Sequence, residues 1–459
     1  MEPTTRSGWD GKAMHSRGTE QPSFTHIRDS LYDRITLTRA ETHVIETEPF
    51  LRLDGIEQLG FVSAVWPGAK HTRFEHSLGV AHLMRQAVRR VRAGTSGNEI
   101  DDEAERTAVA AALLHDIGHY PFSHAIEELG PPIAPHEQVG RRIIERSPIA
   151  DVLANELWVD PGRVAGLIDP RGAAEPLSPV DQLLRGLLSG PLDVDKLDYL
   201  PRDARSCNVP YGGVDAVRLI DALRVAEVDG IQRIVLDEKG ISPLHSLINA
   251  RQEMFDNVYW HHANRACMVM LLRAVQEALV ADCIEPDELS RHDDASLLAR
   301  LSRPEMPSAT RALTDSLRRR RLHKRAIEIS SRSGPLYQSY NSLYADPARR
   351  RRVEMSLARD LAAALGSPVE PYEILIDIPK PERWRTDVWI QFERPPIGMS
   401  ELMSWTAVSG LTDETLKRYE EHRRLIRIVT TERLRDEVAR RSDALLLPLL
   451  GGAMATADD

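Results

Sequence analysis

The stretch AVAAALLHDIGHYPFSH, residues 108–124, constrains this chain more than any other. An alanine-rich apolar run passes without a break into three histidines and an aspartate. The acids of DDEAER, residues 101–106, suit the positive end of a helix dipole, so the helix reads as residues 101–118, with Gly118 and Pro121 loosening or ending it. A core-facing stripe should continue past Leu114, yet polar groups take its place. Such a local inconsistency is the mark of a functional site. His115 and His119 are four residues apart and share a face of that helix. His119 and His124 need not be metal ligands; they can meet a substrate or handle protons.

Metal ions with catalytic roles take imidazole and carboxylate ligands and keep a position open for water. Four residues stand out for this: His76 in RFEHSLG, the adjacent pair His115 and Asp116, and Asp195 in DVDKLDYL. They fall on three separate helices of the reading, and a helical bundle can bring such positions to one point. Each alone is weak, because a single histidine is more often a surface or core residue than a ligand.

Composition narrows the class. The 459 residues carry a net charge of −10, so the chain as a whole is not a binder of phosphate backbones. Three cysteines, Cys207, Cys267 and Cys283, form no CxxC pair, which points to a reducing, cytoplasmic setting. Residues 1–26 read as a disordered tail without the apolar core of a signal peptide. The late run ALLLPLLGGA, residues 444–453, is too short to cross a bilayer, so no membrane role is expected.

The fold class read from pattern is mainly α. A helix covers residues 73–94, with Val80, Met84, Ala87 and Val91 on one face. Another begins near HEQVGRRII at residue 136, and PRGAAEPLSPVD, residues 170–181, reads as a surface connection. Two helical pieces, DQLLRGLLSG and LDVDKLDYL, are broken at Gly190-Pro191. GIQRIVLDEKGI, residues 230–241, reads as a hairpin. One long helix is expected from Ser246 to Ala281. YEILIDIP and DVWIQFE read as strands around a proline turn, and residues 414–441 as a helix. The domain reading is a tail to residue 26, a catalytic helical bundle over 27–281, and a smaller mixed α+β region over 282–459 that supports oligomerisation or regulation.

At these residues the chain resembles the HD-domain phosphohydrolases, and within them the deoxynucleoside-triphosphate triphosphohydrolases. The motifs are IEQLG (56–60), HTRFEHSLGV (71–80), LLHDIGHYPFSH (113–124), HEQ (136–138), DVDKLDYLPRD (193–203) and VPYGGVD (209–215), in order. The resemblance runs from about residue 27 to about 280. It implies an HD-domain bundle and a divalent metal, manganese, iron, magnesium or zinc, on His76, His115, Asp116 and Asp195. It implies cleavage of a deoxynucleoside triphosphate into deoxynucleoside and inorganic triphosphate. Arg73, Arg251 and Lys196 then face phosphate. His119 and His124 lie beside the α-phosphate, with His136 and Glu137 next to them, the glutamate orienting a neighbouring imidazole. Gln58, Leu59, Tyr199 and Asp203 surround the deoxyribose, and Tyr259 closes its 2′ side. Family members are commonly dimers or tetramers, so a homo-oligomer is expected.

Two departures qualify the resemblance. RLDGIEQLG puts Asp54 where activated members carry a guanine-reading arginine, Glu46 stands for an aspartate of the same site, and DSLYD (29–33) replaces the usual start. A nucleotide effector remains an expectation, but GTP at that site does not. Pro201 interrupts the helix before Asp203 and loosens the case for that residue. The basic runs LRRRRLHKR (317–325) and ARRRRVE (348–354) leave nucleic acid as a less favoured partner. The alternatives are an HD phosphohydrolase acting on another nucleotide or on nucleic acid, and a binding regulator on an HD scaffold.

Overall fold

The computed structural model describes residues 24–94, 100–146, 148–173, 175–380 and 387–446. Most of the expected tail lies outside these residues, but Phe24, Thr25 and His26 belong to a strand. That strand, β1 (Phe24–Asp29), pairs antiparallel with β2 (Asp33–Thr38). The sequence reading missed this hairpin.

The bundle is built around α1 (Arg73–Gly94) and α2 (Asp102–Leu114). Val80, Met84, Ala87 and Val91 are all buried on α1, as the periodicity predicts. Asp101 caps α2, its carboxylate accepting from the Ala104 amide at 2.7 Å. The helix ends at Leu114, earlier than the sequence suggests, and residues 115–118 form a turn. His119 therefore follows a turn instead of lying one helical step beyond His115. Around this pair pack α3 (His136–Arg146), α4 (Pro161–Ile168), α5 (Pro179–Leu188) and α6 (Val194–Cys207).

Two glycines permit close approaches that the site needs. A β-carbon at Gly79 would fall 1.9 Å from Asp198 Oδ1, so α1 and α6 meet there without a side chain between them. A β-carbon at Gly118 would fall 2.1 Å from the His136 carbonyl oxygen, so the turn after α2 lies directly against the start of α3.

Three sequence expectations need correction. The hairpin is β3 (Leu223–Val228) with β4 (Ile231–Asp237), turning at Asp229-Gly230; the later DEKG segment is instead a short 3-10 turn before the next helix. An Asp-Gly pair is the stronger hairpin signal, because both residues tolerate positive φ. The single long helix is three pieces: α7 (Ile241–Met254), a π-helical turn over Phe255–Tyr259, and α8 (His262–Val280). The expected helix over 414–441 contains α12 (Asp413–Arg423), but then β9 (Ile426–Thr430), whose five residues are all buried. Alternating apolar residues flanked by arginines mimic a helical face there.

Further elements include α9 (Asp294–Leu301), α10 (Ser308–Arg318), β5 (Lys324–Ile329), α11 (Pro347–Leu365), β6 (Ile374–Asp377), β7 (Trp389–Gln391) and β8 (Leu402–Ser404). β6 and β7, the two strands foreseen around the proline turn, enter different sheets. One sheet has the order β5-β9-β6, and the other β3-β4-β7-β8, with β4 and β7 parallel. The second sheet joins residues 223–237 to 389–404, so the two halves of the chain are interlaced.

The arginine runs are partly structural. Arg350 is buried, and Arg351 makes a two-pronged pair with Glu277 at 2.7 and 2.8 Å. Arg319 and Arg321 both pair with Asp315. Among the described residues no helix is long and apolar enough to cross a membrane.

Candidate metal centre and substrate cavity

The four metal candidates converge. His76 comes from the first turn of α1, His115 and Asp116 from the end of α2, and Asp195 from the first turn of α6, which Asp193 caps. His76 Nε2 lies 3.0 Å from Asp195 Oδ1 and 3.7 Å from Asp116 Oδ2. His115 Nε2 lies 3.3 Å from Asp116 Oδ1 and 3.7 Å from Asp195 Oδ1. One ligand atom each from His76, His115 and Asp116 falls within 4.8 Å of the others.

This set fits a divalent ion on its own chemistry. The Nε2 of His115 is buried and makes no hydrogen bond, although carboxylates surround it. Its Nδ1 is fixed by the Ala112 carbonyl at 2.8 Å, which leaves Nε2 as the ligand atom. His76 is held the same way, its Nδ1 lying 2.8 Å from Asp198 Oδ2. Burial works against a charged His76, yet Asp195 and Asp198 raise it to about 10. The pocket thus demands positive charge at this point. Burial also works against the Asp116 charge, but Arg73, His115 and His119 hold its carboxyl well below the usual range.

Asp198 is a residue that the sequence reading missed. It is fully buried and takes hydrogen bonds from Tyr32 Oη at 2.8 Å and from Arg202 Nε and Nη2 at 2.8 and 2.9 Å. Arg202 reaches on to Asp29 at 2.8 Å. A chain of ion pairs thus ties the early hairpin to the orientation of His76. The available signal was the i, i+4 spacing of Asp198 and Arg202 inside DVDKLDYLPRD.

Beside the cluster lies a cavity of about 400 Å³. All eight sequence-derived substrate candidates line it: Gln58, Leu59, Arg73, Lys196, Tyr199, Asp203, Arg251 and Tyr259. His124 and Asp195 line it as well. Arg73 is buried, pairs with Asp116, and donates from Nε to Ser123 Oγ at 3.2 Å. Lys196 pairs with Asp193 and donates to the Gly190 carbonyl at 3.1 Å. Arg251 lies over the Phe255 ring, 5.2 Å from its centre. Pro201 sits inside α6 without displacing Asp203, whose carboxylate meets His71 Nε2 at 2.7 Å and accepts from Tyr259 Oη at 2.7 Å. Phe255 and Trp260 add an aromatic end to the cavity.

The other histidines form a second group. His119 is buried, and its Nε2 lies 3.2 Å from Asp116 Oδ1. Burial, Arg73 and His136 keep its ring well below the ordinary histidine value, so it is neutral. It stacks on His136 with ring centres 3.8 Å apart. His124 is exposed at the cavity wall, with Nδ1 3.0 Å from Glu127 Oε2. Glu127, not Glu137, orients His136: its Oε1 is 2.8 Å from Nδ1, against 3.8 Å for Glu137. Burial opposes charge on His136, and Glu127 still raises it to about 9.

The fold and this site together define a helical domain with a His–His-Asp–Asp constellation, joined to an interlaced α+β region. A family model described as the HD domain matches residues 73–168, and one described as the HD associated region matches residues 214–446, half of the chain. The chain belongs to the family of HD-domain proteins that carry this associated region.

Relatives bear this out. An uncharacterized protein of Methanocaldococcus jannaschii is 32% identical over 304 residues, 66% of this chain and 60% of that one. A protein of Dictyostelium discoideum named as a deoxynucleoside triphosphate triphosphohydrolase SAMHD1 homolog is 28% identical over 353 residues, 70% of this chain and 64% of that one. The matches thus span less than two thirds of either relative. The crystal structure of a hypothetical protein from Aquifex aeolicus shares the fold, with a TM-score of 0.68 at 24% identity, covering 92% of this chain and 100% of that one.

Proposed function

We propose that the protein is a metal-dependent phosphohydrolase that cleaves deoxynucleoside triphosphates to deoxynucleoside and inorganic triphosphate. One observation carries the reading: a single cavity joins Asp195 of the metal cluster to the cations of Arg73, Lys196 and Arg251 and to a wall of Gln58, Tyr199, Asp203 and Tyr259. The triphosphohydrolase named among the relatives supports the same substrate class.

His76, His115, Asp116 and Asp195 hold the metal in this account. When bound, it acidifies water and neutralises charge on the phosphoryl oxygens. The remaining work belongs to side chains. Arg73, pinned by Asp116 and Ser123, presents its guanidinium to phosphate oxygens, and Lys196 and Arg251 neutralise the rest of the triphosphate. Water attacks the α-phosphorus, the bond from phosphorus to the 5′ oxygen breaks, and that oxygen takes a proton from His124, which the proton released by the attacking water replaces through solvent. Glu127 holds Nδ1 of His124 and so leaves Nε2 for that proton. The Tyr259 hydroxyl, locked by Asp203, closes the wall against a 2′ hydroxyl.

The test is product analysis. Purified protein is incubated with each dNTP, and with GTP and ATP, in the presence of manganese, and the products are resolved chromatographically. Deoxynucleoside with intact triphosphate supports the proposal; monophosphate with pyrophosphate overturns it. We also propose that the chain forms a homo-oligomer and responds to a nucleotide effector; light scattering with and without dNTP mixtures checks both.

A further inference from the structure

We propose that His71 is a positioning residue for the sugar end of the cavity: through Asp203 it sets where the Tyr259 hydroxyl stands, and so fixes the preference for deoxyribose over ribose. The inference rests on the dNTP reading above. It gives a role to a residue that neither lines the cavity nor belongs to the metal cluster.

The ring of His71 serves one partner. Its side chain is 6% exposed, and its Nε2 lies 2.7 Å from Asp203 Oδ1. An ionised carboxylate only accepts, so Nε2 carries the hydrogen. The other ring nitrogen, Nδ1, is buried and has no hydrogen-bond partner. Among the described residues the ring thus makes a single hydrogen bond, and that bond goes to Asp203. A buried polar atom left unsatisfied is costly, and leucine at this position would avoid the cost. Packing alone therefore gives no reason for a histidine here; the bond to Asp203 does.

That bond continues into the cavity. Asp203 is buried, and its other oxygen, Oδ2, accepts from Tyr259 Oη at 2.7 Å. Each carboxylate oxygen is pinned from its own side, so the carboxylate plane cannot turn. Asp203 and Tyr259 both line the cavity. The three residues come from the segment before α1, the second half of α6 and the π-helical turn after α7. The His71 main chain adds another tie. Its carbonyl accepts from the Gln58 amide at 2.9 Å, next to the antiparallel bridge of Glu57 with Thr72. Gln58 belongs to the same wall. His71 therefore fixes Asp203 and Tyr259 by its ring and Gln58 by its backbone.

The consequence lies in selection and not in the chemical step. Without the Nε2 donor, Asp203 Oδ1 is left buried and unpartnered, and the carboxylate turns toward another donor. The Tyr259 hydroxyl then loses the acceptor that holds it. Rejection of one extra hydroxyl by a fitted wall is worth about 100-fold, and a loosened wall forfeits part of it. No proton of the reaction passes through His71, so turnover of bound dNTP is preserved.

The experiment compares His71→Leu, which removes the donor and keeps the volume, with His71→Gln, whose amide offers a donor near the place of Nε2. Each dNTP and its matching ribonucleotide are assayed with manganese. For His71→Leu, KM for dNTPs should rise about 10-fold, kcat should stay within about threefold, and the preference for dNTP over ribonucleotide in kcat/KM should fall about 10-fold. Metal content should not change, and His71→Gln should regain most of the preference. His71→Asn, polar but too short to reach Asp203, gives the same comparison should the leucine variant not fold. A preference unchanged in the donor-lacking variant, a loss of kcat alone, a glutamine variant as impaired as the leucine one, or a wild type without sugar preference overturns the proposal. Equilibrium dialysis of the same nucleotides with calcium in place of manganese separates the two claims. A deoxyribose preference in binding that His71→Leu loses, without dNTP cleavage, would sink the proposed function alone. Cleavage with a preference that His71→Leu retains would sink this inference alone.

Discussion

Replacing Asp294 should disable the site from outside it. Asp294 opens α9 and is half-buried under the loop that carries His124. Its Oδ1 accepts from the Phe122 amide at 2.6 Å, and its Oδ2 from the Glu57 amide at 3.0 Å. The first bond holds a strained segment: Phe122 and Ser123 both have positive φ, at 58° and 60°. A left-handed conformation costs a non-glycine residue about 1–2 kcal/mol, so the pair stores about 2–4 kcal/mol. Two hydrogen bonds to this carboxyl return about 1–6 kcal/mol, the upper end when it is ionised. The balance is close, so Asp294→Ala should let the loop relax. Ser123 Oγ, which bridges Arg73 to the Glu57 and Gln58 carbonyls, moves with it. A misplacement of about 1 Å costs about 100-fold in rate. The expected outcome is a fall of about 100-fold in kcat/KM for dNTP cleavage, with metal content unchanged. Hydrogen exchange at the Phe122 amide should accelerate in parallel. Activity within twofold of wild type, with the Phe122 amide still protected, would refute the reasoning.

Four further outcomes follow from the same structure. Burial pushes the Asp294 carboxyl up from its ordinary 3.8 to about 7, against the two amide bonds, so the folded state holds this proton more tightly than the unfolded state. Its contribution is complete below about pH 4 and is lost as pH rises through 7; the unfolding midpoint of Asp294→Asn should therefore climb relative to wild type between pH 4 and pH 8, and a constant difference would contradict this. Asp116→Ala should lose the ion of the metal centre and all turnover, measured by metal content and product formation; retention of both would exclude the assigned ligand set. Tyr259→Ala should raise cleavage of ribonucleotides relative to dNTPs by about 10-fold or more, read as a ratio of kcat/KM values, because the wall at the 2′ carbon is gone. Asp377→Ala should cost about 3–5 kcal/mol, seen as a lowered unfolding midpoint, since it takes a fully buried carboxylate from Arg265, which it meets at 2.7 Å; an unchanged midpoint would show that Glu128 alone suffices.

Much of the site was legible because its residues sit in short, patterned segments. The helix over 73–94 carries an unbroken apolar face, and the run into His115 and Asp116 announces itself by placing polar groups where a core stripe should continue. The convergence of the four ligand candidates followed from their positions at helix ends. What sequence concealed is tertiary partnership. Nothing in a linear reading pairs Asp198 with His76, Glu127 with His136, or Asp294 with the backbone at Phe122, because each bond joins segments that pattern treats separately. β9 was hidden for a related reason. Ile426 and Ile428 are buried on one face of a central strand and Val429 on the other, and the arginines beside them imitate the polar side of a helix. The break near Trp260 left no proline or glycine to mark it, since a π-helical turn absorbs the change of phase.

The measurement that bears most directly on the central claim is hydrolysis in ¹⁸O-labelled water. Protein stripped of metal and reloaded with manganese is given all four dNTPs, and the products are analysed by mass spectrometry. Attack on the α-phosphorus by water predicts unlabelled deoxynucleoside and inorganic triphosphate carrying one ¹⁸O. Label in the deoxynucleoside, release of monophosphate with pyrophosphate, or no turnover of the mixture would contradict the account.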